Sequence, residues 1–118
     1  MALLSLIPKV FYDDIKVGID FFVDGAGFTT VYQEEKFCII KRDHIKIQLV
    51  EDAEYAAKDR PEIRFETDDI DAYYQEIVER RPQILHPNLR RIKIQPWGLK
   101  EFALLDKTTV CIIIQQSV

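Results

Sequence analysis

The 118-residue sequence lacks the features that mark several classes of protein. No apolar run approaches the roughly 20 residues needed to span a bilayer. The N-terminal apolar run has no basic residue before Lys9 and is interrupted by Pro8, which argues against a signal peptide. The net charge is -4, so the basic surface typical of nucleic-acid-binding proteins is not expected. These shortages predict a cytoplasmic protein that binds neither membranes nor nucleic acid.

Cysteine, histidine and glycine are also scarce. Cys38 and Cys111 each lie in an apolar run and are expected to be buried free thiols. His44 and His86 lie in turn or loop sequences, and no motif for nucleophilic catalysis accompanies them. The four glycines are scattered, so no phosphate-binding loop is indicated. The sequence therefore predicts no catalytic residue.

The most informative feature that is present is an internal repeat. The stretch "VFYDDIKVGIDFF" begins at Val10, and the similar stretch "FETDDIDAYYQEI" begins at Phe65, 55 positions later. In each copy a short apolar strand runs into Asp-Asp, which suits the N-cap of a helix. Apolar residues then recur at helical spacing. The repeat predicts two copies of one structural unit.

Strand-like segments follow each predicted helix. In the first copy they cover residues 28–33, 37–41 and 44–50, and in the second residues 83–86, 101–105 and 109–115. Each copy therefore reads βαβββ, and the predicted fold class is α+β, with curved mixed sheets and one helix packed on each. We expect one domain over residues 1–118, with module 1 at about 5–52 and module 2 at about 60–116.

Side-chain alternation predicts which residues lie on the sheet face that no helix covers. In residues 44–50 the apolar set Ile45, Ile47 and Leu49 belongs under the helix, so Gln48 faces the other way. In residues 62–66 the uncovered face carries Glu62, Arg64 and Glu66. This polar face is either solvated or the lining of a cavity.

The segment "QPWGLKEFALLD", residues 95–106, contains the only tryptophan and resembles a motif of the bleomycin-resistance proteins. These belong to the vicinal-oxygen-chelate (glyoxalase/bleomycin resistance/dioxygenase) superfamily, whose fold is paired βαβββ modules. The segments "IPKVFYDDIKVGIDFF" and "CIIKRDHIKIQL" are similar to other parts of that family, so the likeness covers nearly the whole chain. Here Leu99 is an extra residue, Lys100 replaces an arginine, and the following "DKTTV" lacks the usual turn glycine.

The resemblance also implies where a metal ion would be held. Enzymes of the superfamily take one His, Glu or Gln from each of four strands, and the matching positions here are Ile7, Gln48, Glu62 and Ile113. Isoleucine has no lone pair, and the two remaining donors are too few for a divalent cation. We therefore expect no metal, no cofactor and no catalysis. The alternative is a metal-dependent lyase, isomerase or dioxygenase of the same superfamily with an atypical site.

The family stacks planar ligands near its tryptophan loop, which makes Trp97 a candidate stacking surface and Phe37 a second wall. Glu62, Glu66 and Glu101 are candidate negative charges for a cationic ligand, and Ile7, Ile39 and Ile113 a candidate apolar floor. Phe102 is a candidate for the core as well as for the site. The predicted ligand-binding set is Phe37, Ile39, Gln48, Glu62, Arg64, Trp97, Glu101, Phe102 and Ile113.

The function implied by the resemblance is sequestration of a small molecule. It predicts a metal-free protein that holds a planar or cationic antibiotic-like ligand in a crevice of a homodimer. Exchange of the N-terminal strand, hinged near Pro8, is implied as well. A structural or regulatory dimer that binds no ligand stays open as a third interpretation.

Overall fold

The computed structural model describes all of residues 1–118, which divide into two compact units, Met1–Asp59 and Arg60–Val118. Each unit contains one four-stranded mixed sheet. None of the helices is both long enough and apolar enough to cross a bilayer.

The first unit begins with a strand that runs into a short helix. Its remaining strands form two hairpins, and a second short helix closes the unit. The elements in chain order are β1 (Lys9–Tyr12), α1 (Ile15–Ile19), a π-helical segment (Asp20–Gly25), β2 (Thr29–Glu34), β3 (Phe37–Arg42), β4 (Ile45–Glu51) and α2 (Ala53–Lys58). The sheet order is β1-β4-β3-β2, with β1 parallel to β4 and the other pairs antiparallel.

Helix α1 begins where the repeat predicts. The side chain of Asp14 caps it by accepting a hydrogen bond from the backbone N–H of Lys16 at 3.0 Å. Glu51, at the end of β4, accepts a second one from the N–H of Ile15 at 3.1 Å. Two orphan donors of the first turn are thus satisfied. Gly18 lies directly over the ring of Tyr12, so the helix packs closely on β1.

The outermost strand, β2, is irregular. Its pairing with β3 shifts register between Thr30 and Tyr32, which leaves Val31 as the extra residue of a β-bulge. The side chain of Val31 is 55% exposed. Strand β2 therefore ends the sheet with a bent and largely exposed edge.

The second unit repeats this arrangement with a longer helix and a longer irregular connection. Its elements are β5 (Glu62–Glu66), α3 (Ile70–Arg80), a 3₁₀ turn (Pro82–Ile84), β6 (Lys93–Ile94), β7 (Leu99–Leu105) and β8 (Cys111–Ser117). The sheet order is β5-β8-β7-β6, with β5 parallel to β8. Asp69 caps α3 by accepting from the N–H of Ala72 at 3.0 Å, as the repeat predicts.

The core of the second unit lies between α3 and the sheet. Phe102 is fully buried and contacts the rings of Tyr73 and Tyr74 on the helix, with ring centroids 6.1 Å and 5.2 Å away. Ile112 and Ile114 of β8 are buried on the same face. Of the two alternatives left open for Phe102, the structure therefore shows the core.

The last hairpin turns without glycine. One carboxylate oxygen of the buried Asp106 accepts hydrogen bonds from the N–H groups of Thr108 and Val110, at 2.7 Å and 3.0 Å. It also accepts one from the Thr108 hydroxyl at 2.8 Å. Thr109 carries the positive φ, 74°, that a glycine would otherwise provide. The aspartate side chain therefore organises the turn.

The predicted fold class is confirmed: each unit is a βαβββ arrangement with a helix on one face of a mixed sheet. Two local predictions are wrong, and one short helix was missed. Residues 83–86 are not a strand, because Pro82 opens a 3₁₀ turn and only Leu85 bridges to Leu104. Helix α2 was not predicted. Ile45 is 39% exposed rather than buried under the helix, because it is the first residue of β4.

Candidate functional site

Trp97 lies at the tip of a tight turn between β6 and β7. The N–H of Gly98 donates to the carbonyl of Gln95 at 3.1 Å, and the N–H of Gln95 donates to the carbonyl of Leu99 at 2.8 Å. Pro96 suits the second position of such a turn, and Gly98 supplies a φ of 87° at its end. The indole is 61% exposed, so it is not a core side chain.

The indole is nevertheless held in place by a buried carboxylate. Nε1 of Trp97 donates to Oε2 of Glu101 at 3.1 Å. The same oxygen accepts from Nη1 of Arg64 at 2.6 Å, and Oε1 lies 3.4 Å from Nε2 of Gln95. Glu101 itself is only 2% exposed. Three donors, two from the turn and one from β5, therefore converge on one buried side chain.

Strand register explains why these groups meet. Glu101 pairs with Gln115 on β8, and Gln115 pairs with Glu66 on β5, so the three share the sheet face opposite α3. Arg64 lies on the same face two residues before Glu66, and its Nη1 also donates to Oε1 of Gln115 at 3.1 Å. The alternation that the sequence shows for β5 thus places Arg64 beside Glu101.

The Glu101 carboxylate stays ionised despite its burial. Burial alone raises its pKa, but hydrogen bonds from Arg64 and Trp97, the Arg64 charge and the Gln95 amide together outweigh that effect and lower the pKa. The carboxylate and the guanidinium form a bonded ion pair, with the arginine side chain 41% exposed. The charge of Glu101 is therefore neutralised by Arg64. Its carboxylate is the common acceptor for Arg64, Trp97 and Gln95.

The accessible acids of this face lie on β5. Glu62 and Glu66 are both exposed, and each lies two residues from Arg64. The thiol of Cys111, opposite Glu62, has its pKa raised by burial and then by the Glu62 charge. Because Arg64 is already paired with Glu101, these two carboxylates outnumber the one other cation of the face, Lys93 opposite Glu101, and the face is negative.

Ile113 lies between the acids and the Trp97 turn. It is 8% exposed and pairs with Arg64 on one side and Ala103 on the other. Ile113 therefore places a largely buried apolar side chain at the centre of the face. Phe102 points away from this face into the core, because it alternates with Glu101 along β7.

The predicted residues of the first unit form their own group on the face opposite α1. Ile39 pairs with Gln48, Phe37 pairs with Val50, and Phe37, Ile39 and Gln48 are half-buried. The ring of Phe37 lies 6.2 Å from that of Tyr32. The sequence named these three residues as site candidates without predicting their register, and it left out their aromatic neighbours.

The residues that were missed extend the aromatic character of that face. Phe11 of β1 stacks on Tyr55 of α2, with ring centroids 5.1 Å apart and planes at 27°. Strand alternation in β1 would have assigned Phe11 to this face, since Val10 and Tyr12 are the buried residues. Tyr55 had no such signal, because α2 is too short for a helical period.

The residues at the superfamily's metal positions do not fit a metal ion. Ile7 precedes β1, and Ile113 lies within β8, and neither side chain has a donor atom. No group of three or more His, Cys, Asp or Glu side chains that could hold a metal ion occurs in the chain. Gln48 and Glu62 remain as donors, one in each unit, which is fewer than a structural or catalytic site requires.

The chain is similar in sequence and in fold to known proteins of related kinds. The chain is 31% identical over 121 aligned positions to a bleomycin resistance protein of Geobacillus stearothermophilus, covering 88% of this chain and 89% of that protein. A bleomycin-binding protein crystallised with bleomycin superposes with a TM-score of 0.79 at 17% identity, over 97% of this chain and 98% of that one. A lactoylglutathione lyase from Agrobacterium tumefaciens superposes with a TM-score of 0.72 at 14% identity, over 98% and 96%. No protein-family model matches the sequence.

Proposed function

The chain belongs to the bleomycin resistance protein family, and on that premise we propose that it binds a planar or cationic antibiotic-like molecule and sequesters it unchanged. The observation that carries the proposal is the exposed indole of Trp97, fixed by a buried carboxylate beside a negatively charged sheet face. Aromatic stacking suits a flat ligand, and the free carboxylates suit a positive charge on it.

Each unit carries its own candidate binding surface. In the second unit Trp97 offers the stacking surface, Glu62 and Glu66 the negative charge, and Ile113 a largely buried apolar side chain. In the first unit Phe37, Ile39 and Gln48 offer a mixed surface with an aromatic ring at one end. The likeness to an enzyme such as the lyase concerns the fold alone, so the side chains decide between binding and catalysis.

Titration with bleomycin tests the proposal, because Trp97 is the only tryptophan of the chain. We expect saturable quenching or a spectral shift of its fluorescence. Trp97→Ala, followed by calorimetry, should weaken binding about tenfold or more, since it removes the stacking surface. Trp97→Phe keeps a ring and should lose less. No fluorescence change and no heat at sub-millimolar bleomycin would refute the antibiotic-binding function.

Elemental analysis of the purified protein separates binding from metal-dependent catalysis. We propose that the protein works without a metal, because two of the four superfamily positions are isoleucine. A divalent metal at one equivalent per chain would favour the lyase, isomerase or dioxygenase alternative instead. Glu62→Gln provides the check, since it should reduce a metal content that depends on that carboxylate.

We further propose that the protein works as a homodimer. The leading segment before β1 displays its apolar side chains, with Leu3, Leu4 and Leu6 each about nine-tenths exposed. Such a cluster is suited to burial against a second copy. Sedimentation of the wild type should give twice the mass of one chain. Replacing the three leucines with serine should give the mass of one, and a monomeric wild type would contradict the proposal.

A further inference from the structure

Trp97 combines a large exposed ring with a fixed hydrogen bond. An exposed side chain at the tip of a turn ordinarily samples several rotamers. Here the indole N–H is bound to Glu101 Oε2 at 3.1 Å, which selects one orientation of the ring. The ring faces can still be covered by another molecule, because 61% of the residue is exposed.

The acceptor of that bond is itself rigidly placed. Glu101 is buried in the middle of the paired strands β7 and β8. Its carboxylate accepts a hydrogen bond from Nη1 of Arg64 at 2.6 Å. The same nitrogen also donates to Oε1 of Gln115 at 3.1 Å. Rotating the carboxylate would leave a buried charge without its hydrogen-bond donors, which is energetically unfavourable. The orientation of the indole is therefore fixed by the sheet as well as by its own turn.

We propose that Glu101 is a positioning residue that holds the Trp97 indole ready for a ligand. The proposal rests on the function proposed above, in which Trp97 is the stacking surface. A side chain that is already ordered loses less conformational freedom on binding, so the affinity is higher than for a mobile ring. If the Trp97 side chain became mobile, binding should weaken about threefold to tenfold.

The bond can be measured in the wild-type protein without any ligand. Trp97 is the only tryptophan, so the protein has a single indole N–H resonance. A hydrogen-bonded N–H exchanges with solvent only when the bond opens. We expect its exchange to be at least about tenfold slower than in an unfolded tryptophan peptide. Exchange as fast as in the peptide would overturn the proposal whatever the variants do.

The variant Glu101→Gln tests the acceptor directly. Glutamine has the same length but is neutral, so its single acceptor oxygen binds Trp97 and Arg64 less strongly than the carboxylate does, and its NH₂ group faces the Gln95 amide. Time-resolved anisotropy of the Trp97 fluorescence should show a fast component several-fold larger than in the wild type. Glu79→Gln is the matched control, since it removes one charge from the exposed outer surface of α3, and it should leave the anisotropy unchanged. A folded Glu101→Gln protein with wild-type anisotropy would show that Glu101 has only a structural role.

A double-mutant cycle on bleomycin affinity connects the bond to binding. Trp97→Phe keeps an aromatic ring but has no N–H. Glu101→Gln should weaken binding in the wild-type background and have little further effect in the Trp97→Phe background. Additive effects would overturn the proposal. If the wild type binds no bleomycin, the proposed function fails, and the exchange and anisotropy measurements still decide whether Glu101 positions the ring.

Discussion

Thr109 has a backbone conformation that β-branched residues rarely adopt. Its φ is 74°, and the turn tolerates it because Asp106 satisfies the neighbouring N–H groups. Family members place glycine in this hairpin, whereas this sequence has "DKTTV". The hydrogen bonds of Asp106 therefore compensate for the strain of this backbone conformation.

Replacing Thr109 by glycine should stabilise the protein. Relief of the strained φ outweighs the extra chain entropy of glycine, and the free energy of unfolding should rise by about 0.5–1 kcal/mol. Urea denaturation measures the change. Asp43→Gly is the control, since Asp43 has a φ of 51° but aspartate tolerates this region better, so little change is expected. A less stable Thr109→Gly protein would contradict the strain argument.

Glu101 should make the stability of the folded protein depend on pH. Its pKa is lowered in the folded protein, so the unfolded chain takes up a proton at a higher pH than the folded chain does. Its contribution is fully present above the ordinary glutamate pKa of about 4.3 and is lost as the pH falls through the lower folded value. The wild type should therefore lose stability in this window.

Denaturation of the wild type and Glu101→Gln between about pH 7 and pH 3 checks this dependence. At neutral pH the variant should be less stable by about 1–2 kcal/mol, because it removes the charge from an ion pair whose arginine is 41% exposed to water. The difference between the two proteins should shrink on acidification. A difference that stays constant over the whole range would show that the Glu101 proton is not linked to folding.

At the scale of elements, the packing of α1 on β1 depends on the absence of a side chain at Gly18. A Cβ atom there would lie 2.7 Å from Cδ2 and 2.9 Å from Cζ of Tyr12, and Tyr12 is fully buried. Gly18→Ala should therefore destabilise the protein by about 1–3 kcal/mol through overpacking. Thermal denaturation gives the measurement.

The control separates steric from backbone effects. Gly98 has open space around its Cα but a φ of 87°, so Gly98→Ala acts through strain alone. Tyr12→Leu should partly relieve Gly18→Ala, giving a double mutant less destabilised than the sum, and should be additive with Gly98→Ala. Additivity in both pairs would mean that the Tyr12 ring does not set the cost at Gly18.

The elements most accurately predicted were those with a repeated physical signal. Both capped helices and the alternating strands β4 and β5 follow from Asp-Asp and from period-two patterns. Helix α2 has only six residues, although Asp52 caps it, and it shows no full helical period. Residues 83–86 have strand-like side chains, but Pro82 begins a 3₁₀ turn there. Only Leu85 pairs with a strand residue, Leu104.

The candidate site was only partly readable from sequence, because contacts between strands are invisible in it. Side-chain alternation in β5 predicts that Arg64 lies on the sheet face without a helix. The segment of residues 95–106 indicates Trp97 and Glu101 as site candidates. That Glu101 joins Arg64 to Trp97 depends on the register of β5, β8 and β7. The interpretation of Glu101 as a charge for the ligand consequently gives way to a role as acceptor within the protein.

At the scale of the whole molecule, the two units carry separate natural reporters of unfolding. Cys38 is buried in the first unit, and Trp97 lies in the second. A unit of about 60 residues buries too little surface to be robust by itself. The prediction of one domain over residues 1–118 therefore implies that both reporters change together.

Urea unfolding of a Cys111→Ser protein tests this expectation, since Cys38 is then the only thiol. Reactivity of Cys38 toward a thiol reagent and fluorescence of Trp97 should show the same midpoint within error. The far-UV signal of both units provides the common reference. If Cys38 became reactive while Trp97 kept its native signal, the modules would be independent domains.

The bulge at Val31 has a consequence for behaviour in concentrated solution. Strand β2 ends its sheet, and a regular exposed edge is a template on which other chains can add strand by strand. The extra residue between Thr30 and Tyr32 bends that edge and breaks the even spacing of its outward amide groups. Fibril growth from this edge is thereby hindered, which should protect the protein against aggregation at high concentration.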